Sequence, residues 1–431
     1  MKRFLVYIIL CIFIVSCAKE AEFDVLKNDD NLDTSWWKIY KNDEFNNSLN
    51  AYFQSDYEIK NKTLMLDYIS VENSLLRNYS FDGSLRADIS KPLSEGEKNT
   101  KFSGNLGFKY KLDIFGKNYD KKRAKMLELL SANDEIGDLK QQNAHKIITM
   151  ILNKQHLSLN SSLLSKKLEN LQLIYDLSKY ENSIGKLGYV ELLEDESKLD
   201  NAKTSIIYNN LDIKKIEDSL RDLGFVYDGE LELLDSDFEK YLKTVRFNKD
   251  LVLKKYKILS KNKKVQIKNI NYLVSQKDMY VDLSLNAFLS SSSDKAKSMF
   301  DFGVFGGGVG VDFGFLDYAN VKDRIKLSKL DYDMAKNDYE NFVKVTFNYT
   351  QNTLSDYAFY LELFDINDKI LQRSKSIYEE KLFKYNLKMI SKKELLSYEN
   401  AFIDAQISFN KAKNDLNKAR CDILYAFGVN M

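Results

Sequence analysis

Pro92 is the single proline in 431 residues. Proline ends helices and marks turns, and no Pro/Gly/Ser-rich linker stands in for it. That excludes a string of small loop-connected domains and leaves a few very long helices as the simplest architecture. An excess of one charge is also missing. Lys and Arg number 64 against 63 Asp and Glu, a net charge of +1, which gives no general pull toward nucleic acid or acidic partners. Only 2 histidines occur, His145 and His156. They sit on one predicted helix without cysteine or paired carboxylates at ligand spacing, so they read as solvated helix positions. The glycines at 306–308 lack the Lys-Ser/Thr of a phosphate loop and sit in a strand setting. No catalytic residue, metal site or cofactor is expected, and the chain does not read as an enzyme.

What is present begins with an address. Lys2 and Arg3 precede the apolar run Phe4–Val15, which ends in "IVSC" at Ile14–Cys17. The run is too short to span a bilayer and has the layout of a cleaved signal. It resembles a bacterial lipoprotein signal, with cleavage before Cys17 and a diacylglycerol and acyl chain then carried by that cysteine. Cys11 leaves with the signal, so Cys421 has no thiol partner for an intrachain disulfide and reads as a small packing residue.

Two stretches alternate with a period of two. In "SFDGSLRADIS" (Ser80–Ser90), Phe81, Gly83, Leu85, Ala87 and Ile89 face one way, and Asp82, Ser84, Arg86, Asp88 and Ser90 the other. Phe102–Ile114 continues the pattern, with Lys109, Lys111 and Asp113 on its polar side. The polar "KPLSEGEKNTK" between them makes the pair a β-hairpin. The second half repeats this in "YVDLSLNAFL" (Tyr280–Leu289) and "GVGVDFGF" (Gly308–Phe315), with Asp312 on the polar side. The alternation changes phase between Val304 and Gly307, which predicts a bulge there.

The rest reads as helix over about 40–78, 117–183, 189–223, 250–277, 319–386 and 391–427. Two of these carry heptad seams. Ala202, Ile206, Ile213 and Leu220 recur as Ala405, Phe409, Leu416 and Ile423, each 203 residues later, and "ELL" at Glu191–Leu193 recurs at Glu394–Leu396 with the same offset. The chain is therefore two copies of one unit: hairpin, long helix, turn, long helix. The expected divisions are a signal at 1–16, an N-terminal lipid-anchored segment and helix at 17–78, a first repeat at 79–225 with its strands at 80–115, an equatorial segment and helix at 226–279, and a second repeat at 280–431 with its strands at 280–316.

Strands of about ten residues match the length a tilted strand needs to cross a bilayer. One apolar and one polar face suit a membrane barrel with a wet lumen, whose wall would carry Asp82, Arg86, Lys109, Lys111, Asp113 and Asp312. Four strands are too few to close a barrel, and open edges are not tolerated in lipid, so several copies must pool strands. A soluble sandwich with one wet face is the competing reading, but nothing supplies its second sheet. The helices at 117–183 and 319–386, each on the order of 100 Å at 1.5 Å per residue, would hang below such a barrel.

Several motifs carry a resemblance to a family. They are the lipobox at Cys17, the double Trp of "WWKIYKNDEFNNSL" (Trp36–Leu49), "YKLDIFGK" (Tyr110–Lys117), "VDFGFLD" (Val311–Asp317), and the turns "IGKLGYVELLEDESKLDNAK" and "ELLSYENAFIDAQ". With these the mature chain resembles the TolC-like outer-membrane efflux factors, in particular their lipidated NodT/OprM-like branch. The resemblance implies an α+β membrane protein. It would be a homotrimer with a 12-stranded barrel, four strands per chain, continued by a coiled-coil periplasmic tunnel and anchored to outer-membrane lipid. It implies a passive, gated exit duct for drugs or other toxic small molecules, working with a periplasmic adaptor and an inner-membrane pump of the resistance–nodulation–division kind. The alternatives are the duct of an ABC-driven type I protein secretion system, and a structural or adhesive coiled-coil lipoprotein. By position it implies a periplasmic gate at Glu191, Glu194, Glu394 and Tyr385, and adaptor-contact tips at Gly185, Gly188 and Lys388. The second tip departs from the family at Lys388, Ile390 and Ser397.

Overall fold

The computed structural model describes residues 35–75, 79–90, 100–246, 250–313 and 318–428. Cys17 lies outside them. The chain opens with a 3-10 turn at Trp36–Tyr40, then α1 (Asp43–Ser55) and α2 (Tyr57–Leu75). The helix expected over 40–78 is thus divided. Asp56 accepts from the Ile59 amide at 2.8 Å and starts α2 afresh, as Asn42 does for α1 through Phe45; a short polar side chain that satisfies an orphan amide is a helix start. Strands β1 (Tyr79–Ser90) and β2 (Lys101–Leu112) follow, then α3 (Lys117–Ser183) and α4 (Tyr189–Asp222). A connecting stretch holds α5 (Asp235–Arg246) and the single turn α6 (Asp250–Leu253) before α7 (Tyr256–Lys277). The second half continues with β3 (Val281–Ser293), β4 (Val304–Phe313), α8 (Tyr318–Asn386) and α9 (Lys392–Phe427).

The four strands form one antiparallel sheet in the order β1-β2-β3-β4. Register keeps the two faces in phase across all of it. Leu85, Leu106, Leu289 and Phe305 stand side by side on one face, as do Leu112, Leu283 and Val311. Asp82, Lys109, Asn286 and Gly308 stand together on the other. The bulge expected between Val304 and Gly307 is absent. Pairing runs unbroken from Ser290–Val304 to Val281–Phe313, with Gly307 filling an apolar-face position. A glycine there hides the alternation in the sequence without breaking it in the ladder. Its neighbour Gly306 is needed for space, since a Cβ would sit 2.3 Å from the Phe288 ring tip.

The heptad seams do what their spacing requires. Leu199, Ala202 and Leu220 are buried where α4 packs on α3, and Ala405, Ala412, Leu416, Ala419, Ile423 and Ala426 are buried along α9. In the half nearer the tips the helices stand in the order α4, α3, α9, α8; nearer the sheet α2 and α7 take the places of α4 and α9. The main core forms a waist between these halves. It gathers Trp36, Phe45, Ile147, Ile148, Phe238, Ile258, Ile423 and Leu424, all nearly inaccessible. Helix α5 belongs to this waist and was not expected; Phe238, Tyr241 and Val245 on its inner face are buried there. His145 is not simply solvated. It pairs with Asp422 at 2.6 Å and stacks on Tyr425 with ring centroids 4.6 Å apart. His156 is half-buried, 3.3 Å from the Asn160 amide. Cys421 is fully buried, and burial pushes its thiol far up.

Candidate channel wall and helix tips

The polar face of the sheet gathers most of the expected wall residues. Asp82 and Lys109 are directly opposite in the β1–β2 register, and Arg86 lies opposite Asn105 on the same face. Lys111 is exposed opposite Ser80 and Ser284. Asp312 pairs with Asp282 in the register, on the same face. Asp113 departs from the set. It lies one residue past β2, and its Oδ2 accepts from the amides of Asn118 and Tyr119 at 3.0 and 3.1 Å. It caps α3 and serves the strand-to-helix junction. That junction is held by two further ion pairs, Lys277–Asp120 at 2.7 Å and Lys117–Asp278. Phe288 also lies on the polar face, a large ring beside Gly306.

At the opposite end, both hairpins close with the same turn. Gly185 takes φ +72, its amide bonds to Asn182 O at 3.0 Å, and Lys186 N bonds to Glu181 O at 2.8 Å. In the second hairpin Lys388 takes φ +60, its amide bonds to Tyr385 O at 2.8 Å, and Met389 N bonds to Lys384 O at 2.9 Å. Each pair of bonds is the 5→2, 6→1 pattern that ends a helix on a left-handed residue. Lys388 therefore holds, with a Cβ, the conformation glycine holds at the first tip, at a cost of about 1–2 kcal/mol. The second helix of each hairpin starts differently. Ser391 caps α9, accepting from Glu394 N at 3.1 Å. Gly188 has no side chain to offer α4, and Glu191 folds back over it, so close that a Cβ on Gly188 would lie 2.1 Å from Oε2. A carboxylate in the first turn also meets the positive end of the helix dipole.

The expected gate residues thus have distinct surroundings. Glu191 is exposed and lies over Gly188 at its own helix start, and Glu194 is exposed on α4. Glu394 lies 3.3 Å from Lys381 Nζ, which in turn sits over the Tyr398 ring at 4.3 Å. Lys392 Nζ lies over the Tyr385 ring at 5.4 Å. One of the contacts that bind the first hairpin to the second is made by a buried carboxylate. Asp195 on α4 is 6% exposed, accepts from Ser178 Oγ of α3 at 2.7 Å, and pairs with Lys393 of α9 at 2.9 Å and Lys198 at 2.9 Å. Burial works to raise its carboxyl, but the hydrogen bonds from Ser178, Lys393 and Lys198 prevail and bring it down to about 2. The signal was available: Leu192, Leu199, Ala202, Ile206, Ile213, Ile216 and Leu220 mark the α4 heptad, Asp195 and Asn209 fill the two positions left between them, and both are buried. A polar residue on a seam specifies register or partner more than stability. Asn209 donates to Leu157 O and Ser161 Oγ on α3, and Asn170 donates to Asn400 Oδ1 across α3 and α9 at 3.1 Å.

Among the described residues no helix is long and apolar enough to cross a membrane, which says nothing of the strands, and no cluster of His, Cys, Asp and Glu is placed to hold a metal ion. No family model matches the chain. Toxin and drug export protein A of Aggregatibacter actinomycetemcomitans is 20% identical over 411 residues, covering 92% of this chain and 89% of the relative. Among solved structures, the CmeC outer membrane channel of Campylobacter jejuni superposes with a TM-score of 0.78 at 18% identity, over 93% of this chain and 88% of that one. The outer membrane protein VceC of Vibrio cholerae gives 0.78 at 14% identity, over 93% and 99%. The chain has the fold of the TolC-like outer-membrane channels, and the likeness extends over almost all of it.

Proposed function

We propose that this chain is the outer-membrane exit duct of a tripartite efflux system, a passive pore that carries drugs or other toxic small molecules outward. The observation that carries the reading is the sheet. It has one apolar and one polar face, its outer strands β1 and β4 each pair on one side only, and it continues into helices of 67 and 69 residues. In lipid each unpaired backbone group costs several kcal/mol, so both edges must be covered. Strand directions alternate across the sheet, so β4 of one copy can pair antiparallel with β1 of the next, and three copies give a twelve-stranded barrel. In the half nearer the sheet, exposed apolar side chains supply matching helix contacts: Leu64, Tyr68 and Val71 on α2 at one flank, Leu327, Leu330 and Met334 on α8 at the other. Cys17, acylated, would anchor each copy to the membrane. An adaptor and an inner-membrane pump would dock at the tips around Gly185, Gly188 and Lys388. Glu194, Glu394 and Tyr385 would narrow the bore there, with Glu191 acting through the charge it sets against the first turn of α4.

A second reading, the duct of an ATP-driven protein secretion system, is kept by one observation: the relative's name joins toxin to drug export. The test is single-channel recording of the purified protein in planar bilayers, then expression in a duct-deficient strain beside either kind of pump. Stepwise conductance from a trimer and regained drug resistance are expected. A folded protein with no conductance would overturn the duct, and export of a protein toxin without drug resistance would select the second reading.

A further inference from the structure

The connection between β3 and β4 folds onto the apolar face of the sheet. Its backbone lies across β2 at Gly104, where a Cβ would meet Met299 O at 2.3 Å and the Phe300 ring at 3.1 Å. Ser291 Oγ, one strand over and level with Gly104, donates to Ser298 O at 3.1 Å. Gly104 shares its face with Leu106 and Leu289, so the loop covers the side that, on the reading above, meets lipid. This is the rim farthest from the helices, and its rungs are built to receive something. Ala87, Gly104 and Ser291 form a rung of small side chains, with Phe102 of β2 and Ile89 of β1 beyond it and Ser293 ending β3 on the same face, so the loop settles into a dip between larger apolar groups.

We propose that this loop is a lipid-facing anchor that completes the apolar band at the outer rim, with the acyl-chain and glycerol layer of the outer leaflet as its occupant. The inference rests on the barrel reading. Three features support it. Phe300, 46% exposed, and Phe302 form a ring pair at 6.1 Å on this loop. Gly104 to Leu112 is about 26 Å along the strand at ~3.3 Å per residue, so the loop's ring pair stands at one end of a strand length on the order of the ~25 Å apolar band of membrane barrels, where such a band carries an aromatic girdle. The loop also bonds its own amides: Ser298 to Lys295 O, Met299 to Ala296 O, Asp301 to Ser298 O and Phe302 to Phe300 O. Backbone satisfied in this way tolerates a nonpolar neighbour. Finally, Asp294, Lys295, Lys297 and Asp301 balance in charge, which favours the lipid body over an anionic headgroup as the target.

Site-directed spin labelling tests this in phosphatidylcholine nanodiscs. Nitroxides are placed by Phe300→Cys, and separately by Phe302→Cys in case the first variant folds poorly. Leu285→Cys on the apolar face and Asn286→Cys on the polar face serve as references. Relaxation by oxygen, which partitions into lipid, is compared with relaxation by a water-soluble nickel chelate. The loop labels should match Leu285, several-fold more sensitive to oxygen relative to nickel than Asn286, and unchanged when anionic lipid is added. Loop labels relaxed by nickel beside an oxygen-sensitive Leu285 overturn the anchor and leave the barrel standing. Loop labels shielded from both overturn lipid as the occupant and point to a neighbouring copy. Nickel relaxation at both Leu285 and Asn286 overturns the barrel reading and the anchor with it.

Discussion

The two helix tips, 203 residues apart in sequence, share one backbone and differ in almost every side chain that supports it. Gly185 and Lys388 hold the same left-handed turn, but only glycine holds it without strain. Ser391 caps its helix through a hydroxyl; Gly188 provides no side-chain cap, and Glu191 lies over it. Ser178 and Asp195 face each other in the first hairpin, and their counterparts in the second are Lys381 and Tyr398, which meet as cation and ring. A helical hairpin is thus specified by its seam and by the hydrogen bonds of its turn, and the charge it displays can diverge. The divergence also has a use, because Lys393 of the second tip reaches Asp195 of the first and joins them.

The largest effect should follow from breaking that junction. Lys393→Ala leaves Asp195 buried with fewer donors and should cost about 2–3 kcal/mol of local stability, read as faster hydrogen exchange at both tips. Exchange that quickens only in α9 would mean that the hairpins are joined elsewhere. The same carboxylate sets a pH dependence. Its folded value is depressed from 3.8 to about 2, so its contribution of about 2 kcal/mol is complete above roughly pH 4–5 and is lost as pH falls toward 2. Acid should loosen the tips before the waist in the wild type, and Asp195→Asn should remove that difference.

Exchanging the turn residues should give opposite signs. Lys388→Gly relieves a strained φ and should stabilise the second tip by about 1 kcal/mol, while Gly185→Ala, with open space around its Cβ, should destabilise the first by about as much. Equal responses would sink the claim that the two turns share a conformation. Removing the cap comes next: Ser391→Ala should cost about 1 kcal/mol and Ser391→Gly only a few tenths. The smallest structural effects belong to the gate candidates. Glu394→Gln gives up one exposed ion pair worth ~0–1 kcal/mol, and should lower cation preference in single-channel records without changing tip exchange. Glu191→Gln should do the reverse, slightly loosening the first turn of α4 with little change in conductance.

Much of this arrangement was legible in sequence because it rests on short-range periodicity. Alternation placed Asp82, Arg86, Lys109 and Lys111 on one face, and heptads placed the seams of α4 and α9. The exceptions have local causes. Asp113 continues the alternation but is taken up by the amides of Asn118 and Tyr119. Gly307 imitates a change of phase in an unbroken ladder. Helix α5 has Phe238, Tyr241, Leu242 and Val245 at helical spacing, but it is only about three turns long between loops, too short for its periodicity to stand out beside the long helices. His145 looked solvated because its partners, Asp422 and Tyr425, come from the other end of the chain.

By itself the sequence determined two repeats, amphipathic strands and long helices with seams, since each depends on residues a few positions apart on one strand or helix face. Only the tertiary structure decided that Asp195 meets Lys393, that Glu191 lies over Gly188 while Glu394 pairs with Lys381, and that the β3–β4 loop lies on the apolar face. Those contacts depend on which helix stands beside which and on how much room a glycine leaves, quantities that no periodicity in the chain encodes.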